Sequence, residues 1–210
     1  MPIRNLLLSL ALAAGAASAQ YKMEPAGAPP ADLAASVAGA LEKDGYKILG
    51  AGGAVVCEIW FRSAIPSGPA STEQNVSIPT IPHGTLLGVV RYAARGADRR
   101  GLTVKPGVYT LRYSLFPTNG DHQGIAPQRD FAILSPAAED KDAAATPNFE
   151  DLMNMSRKAS GTPHPLTLSV SKSEAEKFPL FDKEGEKDWV LNVKAGGLPL
   201  AIILIGKFEG

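Results

Sequence analysis

Apolar and polar side chains alternate along residues 108–116: Tyr109, Leu111, Tyr113 and Leu115 fall on one side, Thr110, Arg112 and Ser114 on the other. Residues 166–171 repeat the pattern, with Leu166, Leu168 and Val170 against Thr167, Ser169 and Ser171. A period of two places successive side chains on opposite faces of a strand, so each segment predicts a sheet with one buried and one wet face. Residues 54–62 put Val55, Cys57, Ile59 and Phe61 on one face and Val56, Glu58, Trp60 and Arg62 on the other. They follow a strand over 46–49 across Gly50-Ala51-Gly52-Gly53, a hairpin signal. Further strands are expected over 85–92, 102–104, 129–134, 189–193 and 200–208, the last two joined at Gly196-Gly197.

Only two stretches carry a helical period. Leu33, Val37 and Leu41 recur at i, i+4 and i+8 within residues 31–43, and Gly45 stops that run. Asn148 is placed to cap a helix over 149–158, with Asp151 at the capping-box position. One further helical turn is expected over 173–177. Residues 63–82, rich in Ser, Thr and Pro, and the acidic, Ala-rich residues 136–147 read as loops. About eight short strands without crossover helices predict an all-β, mainly antiparallel fold. The expected form is an immunoglobulin-like or related two-sheet β-sandwich with a short N-terminal helix and one or two helical excursions.

The N-terminus predicts an address. One cation, Arg4, precedes an apolar run over 6–14, and Ala17-Ser18-Ala19 supplies small residues before a cut at Gln20. This is the layout of a signal peptide over 1–19, and residues 20–30 then form a flexible leader before a single domain over 31–210. The expected site of action is periplasmic or extracellular. The full chain has 21 basic and 21 acidic side chains, and the cut removes one cation. Near-neutrality argues against nucleic acid as a partner, and no run is long enough for a transmembrane segment. Cys57 is the single cysteine and falls on an apolar strand face, where a thiol acts as a small hydrophobe.

Candidate chemistry is sparse. The segment Pro117-Thr118-Asn119-Gly120-Asp121-His122-Gln123-Gly124 places a carboxylate beside an imidazole after a strand, where a metal or a proton could be held. The same segment reads more simply as a turn, because Asn-Gly favours positive φ. His83, His122 and His164 all lie in predicted loops beside strand ends, and three imidazoles, or two with Asp121, suit copper or zinc. Trp60 is either an exposed stacking platform or the seat, with Val56, of the first helix. Arg91, Arg95, Arg99 and Arg100 could form an anion patch or solvated pairs. Ser169-Val170-Ser171-Lys172 matches an SxxK pattern, but on a strand rather than a helix. Asp140 and Asp142 lack the glycine of a calcium loop.

The run Lys105-Pro106-Gly107-Val108-Tyr109-Thr110-Leu111-Arg112-Tyr113, followed by Asn119-Gly120-Asp121-His122, resembles the last two strands of the CopC-type copper-resistance domain, a secreted β-sandwich, over residues 105–131. In that family the Asp and His of the turn join an N-terminal His around Cu(II), so the resemblance implies Asp121 and His122 as ligands. Here the order is Asn-Gly-Asp-His, and the expected mature N-terminus is Gln20-Tyr21. Taken whole, the chain resembles secreted bacterial β-sandwich proteins with no assigned activity. The leading expectation is an exported, non-enzymatic binding or interaction module without a resident cofactor, whose partner is a protein or a small ligand. The alternative is a periplasmic copper or zinc binder using Asp121 and His122, with His83 or His164. A hydrolase whose residues converge only in space stands behind both.

Overall fold

The computed structural model describes residues 21–118 and 128–208. Its elements are β1 (Lys22–Gly27), α1 (Ala35–Ala40), β2 (Gly45–Leu49), β3 (Val55–Phe61), β4 (Leu86–Tyr92), β5 (Gly96–Ala97), β6 (Thr103–Val104), β7 (Gly107–Leu115), β8 (Asp130–Pro136), α2 (Phe149–Ser160), β9 (Leu166–Lys172), β10 (Leu180–Glu184), β11 (Asp188–Ala195) and β12 (Leu198–Ile205). The all-β, antiparallel expectation holds. Ten strands hydrogen-bond as one sheet in the order β1-β2-β3-β4-β7-β8-β9-β12-β11-β10, and β5-β6 form a small separate hairpin. The two packed faces are therefore halves of one sheet that curls until it nearly closes.

The interior is built by the alternating positions. Ile48, Cys57, Ile59 and Phe61 come from one half, Leu166, Leu168, Val170, Leu191, Val193, Leu200 and Ile202 from the other, and Leu111 and Tyr113 lie between them. Sheet closure is left to side chains at the seam between edge strands β1 and β10. Tyr21 meets Trp189 of β11 edge-on with ring centroids 5.2 Å apart, and Phe181 of β10 also packs against Trp189 at 5.5 Å.

Four expectations change. Residues 22–27, read as part of a flexible leader, form β1 and pair with β2. A strand at a sheet edge is held by backbone bonds and tolerates Pro25, so side-chain periodicity gave no sign of it. Strand β10 escaped notice likewise, because its side chains are mostly exposed. The first helix is shorter than 31–43, since Leu41 is already extended and bridges to Arg62. Residues 173–177 are not helical: Ser173 Oγ donates to Asn192 Oδ1 (2.5 Å) and accepts from Ala175 N (3.1 Å), which fixes an irregular turn.

The outer face of β7 and β8 is covered rather than wet. Val37 and Leu41 pack on Trp60, Leu86 and Val89, so the first helix covers Trp60. Val56, its other expected seat, packs with the interior cluster instead. Trp60 Nε1 donates to the Gly27 carbonyl at 2.7 Å. Residues 137–147 fold over Arg112, whose guanidinium is fully buried. Its Nε and Nη2 donate to the Asp140 carboxylate at 2.6 and 2.7 Å, and the remaining donors reach the carbonyls of Gly84, Asp142 and Ala145. The excursion over 62–85 is tied down by Asp130, which accepts from the amides of Ser77 (2.8 Å) and Ile78 (3.0 Å) and from Tyr113 Oη (2.6 Å). Burial and that carboxylate push the Tyr113 phenol well above its usual range. Among the described residues no helix is long and apolar enough to cross a membrane.

Candidate binding cavity

Helix α2 lies across β8 but stops short of covering the ends of β7 and β8. The Asn148 side chain accepts the Asp151 amide at 2.9 Å, and Gly161 in the left-handed region (φ 67°) ends the helix. Leu152 and Met153 pack on Phe116, Phe131 and Ile133. The stripe Phe149, Met153 and Arg157, at i, i+4 and i+8, faces a cavity of about 410 Å³. Its floor is Ser114, Phe131 and Ile133, and its far shoulder is Pro163-His164-Pro165. That shoulder is held by side chains: Ser160 Oγ donates to the His164 carbonyl at 2.7 Å, and Arg157 Nε to the Pro163 carbonyl at 2.9 Å.

Two polar groups mark the cavity. Ser114 is 1% exposed, and its Oγ has no hydrogen-bond partner among the described residues. A buried hydroxyl ordinarily finds a partner, and leaving it without one costs about 1–3 kcal/mol. Arg157 sits at the exposed rim and forms no ion pair among the described residues; its Nε and Nη1 are taken by Pro163 and by Asn154 Oδ1 (3.0 Å). Phe149, also at the rim, is 45% exposed, unusual for a large apolar side chain in this chain.

A second concavity of about 310 Å³ shares Leu115, Pro117 and Phe149 with the first and adds Glu73, His83 and Arg129. His83 and His164 therefore flank the same end of the sheet, one on each side of Phe149. Burial lowers the His83 imidazole below its ordinary pKa, and its Nε2 has no hydrogen-bond partner among the described residues. Asp121 and His122 lie outside the described residues. Among the residues described, no three of His, Cys, Asp and Glu gather where they could hold a metal ion. A broader groove of about 590 Å³ at the seam is lined by Met23, Glu24, Pro25, residues 42–46 and Pro179, with its charged side chains largely in solvent.

The other candidates resolve structurally. Cys57 is fully buried, and desolvation pushes its thiol up to about 12, so no thiolate nucleophile forms. Among the described residues Ser114 Oγ meets no imidazole that could take its proton, and Ser169, on strand β9, accepts from Gln128 Nε2 (2.9 Å). Three of the four clustered arginines are in ion pairs: Arg91 with Glu58, Arg99 with Asp188 at 2.9 Å and Arg100 with Asp98 at 2.9 Å. Among the described residues these arginines leave no anion patch. Asp140 is engaged by the Arg112 guanidinium rather than forming part of a metal-binding loop. Sequence reasoning missed Ser114, because alternation assigned it to a wet face, whereas that face is covered and Ser114 is buried. The chain matches no family model, no curated protein and no solved structure.

Proposed function

We propose that this chain is an exported, non-enzymatic binding module of the bacterial envelope that takes a small ligand into the cavity under α2. The observation that carries this reading is the cavity itself: mostly apolar, and lined by Ser114, whose buried hydroxyl has no hydrogen-bond partner among the described residues. Its volume falls within the range of about 300–1,000 Å³ of small-molecule sites, which are apolar with a few oriented polar groups. The signal layout at residues 1–19 supports export. Expression of the full chain in a bacterial host should deliver a periplasmic protein beginning at Gln20, read by N-terminal sequencing. Titration of that protein with the neutral fluorophore N-phenyl-1-naphthylamine should saturate at one site and be lost in Ser114→Phe, which fills the floor. Absence of saturable binding, or binding indifferent to Ser114→Phe, would sink the cavity reading.

A second reading, a copper or zinc site, draws on the placement of His83 and His164 at the end of the sheet where the chain continues from Thr118 toward Asp121 and His122. Calorimetry with Cu(II) and Zn(II) should then give one ion per chain, abolished in His122→Ala and weakened in His83→Ala. Binding unchanged by His122→Ala would remove this reading.

A further inference from the structure

The strongest unassigned chemistry lies in the polarity of the cavity under α2, and the inference rests on that cavity being the ligand seat. Among the described residues, Arg157 at its mouth forms no ion pair and the Ser114 hydroxyl at its floor has no hydrogen-bond partner. Between them the walls are carbon: Phe131, Ile133, Phe149 and Met153, closed by Pro163 and Pro165. Three zones in that order describe the ligand. One end carries a negative charge for Arg157, the middle is apolar, and the far part carries one oxygen to hydrogen-bond Ser114 Oγ.

We infer that the cavity binds a monocarboxylate of medium length whose apolar body carries one hydroxyl or keto oxygen. Three arguments support it. Arg157 already gives Nε and Nη1 to neutral acceptors, so among the described residues its Nη2 remains to bond a ligand oxygen without disturbing the shoulder. An apolar body removes Phe149 from water and fills space beside Met153, which rewards chain length. Ser114 then distinguishes an oxygenated chain from a plain one, because a site built to hydrogen-bond an oxygen discriminates against the analogue that leaves its buried group unpaired. A body of roughly eight to twelve carbons suits the cavity at interior packing density.

Displacement of N-phenyl-1-naphthylamine from the full mature chain tests this. Decanoate should compete at least about tenfold better than decylamine, as expected for a charged hydrogen bond. Each methylene from hexanoate to decanoate should tighten binding by about fourfold. 10-Hydroxydecanoate should compete better than decanoate in the wild type, and Ser114→Ala should erase that difference. Arg157→Met should lower the decanoate-to-decanol affinity ratio about tenfold, whereas Lys158→Met on the neighbouring exposed position should leave the ratio as it was. Because the comparison of decanoate with decylamine uses wild-type protein, it stands even if Arg157→Met fails to fold. Equal competition by the amine and the acid overturns the carboxylate assignment while leaving the cavity reading intact. Failure of the fluorophore itself to bind overturns both.

Discussion

Arg112 shows how much one side chain can organise. Its five donors are all engaged and its partner Asp140 is nearly as buried, so the pair fixes residues 137–147 against the sheet. Removing one member of a buried pair strands the other's charge, at a cost of about 3–5 kcal/mol. Arg112→Leu should therefore lower unfolding stability by that amount in urea titrations, and Arg112→Leu combined with Asp140→Leu should recover much of the loss. His83 carries a pH signature. Its folded pKa lies below the ordinary 6.5 because burial disfavours the charged ring. The unfolded chain thus takes up the proton first. The associated stability is present above pH 6.5 and is lost as pH falls through the folded value. Thermal melts at pH 7.5 and 5.5 should show a smaller drop in His83→Gln than in the wild type. Position 112 also marks a limit of sequence reading. Alternation separated Arg112 from Leu111 and Tyr113 correctly, but could not say that the second face is covered too, because the cover comes from a loop with no periodicity.

At the scale of elements, α2 was legible because its signals are local: Asn148 and Asp151 at the start, Gly161 at the end, and acids and bases placed to suit the helix dipole. Edge strands β1 and β10 were not, since what holds them is backbone pairing to β2 and β11 while their own side chains are largely exposed. The cap also reaches the candidate site. Phe149 and Met153 project from the first turns of α2, so a frayed start loosens one cavity wall. Asn148→Ala should cost about 1 kcal/mol of stability, and it should weaken fluorophore binding although the side chain touches no ligand. Denaturant titration and fluorescence on the same variant check both.

For the whole molecule, the strand order has an asymmetry. The curled sheet has its weak line between β1 and β10, where rings rather than ladder bonds meet, and β7 and β8 sit fifth and sixth of ten, farthest from it. Backbone amides should exchange with deuterium fastest in β1 and β10 and slowest in β7 and β8; equal protection around the sheet would contradict this gradient. The histidines illustrate what topology adds to sequence: His83 and His164 are 81 positions apart, and only the fold brings them to either side of Phe149.

The gradient bears on recognition. On that gradient Ser114, Phe131 and Ile133 belong to the two strands expected to open last, so the floor of the cavity should keep its shape while the seam breathes. A pocket whose walls are already fixed loses little freedom when it is filled. Affinity should then follow ligand chemistry rather than protein rearrangement, and closely related acids should separate by how long they stay bound more than by how fast they arrive.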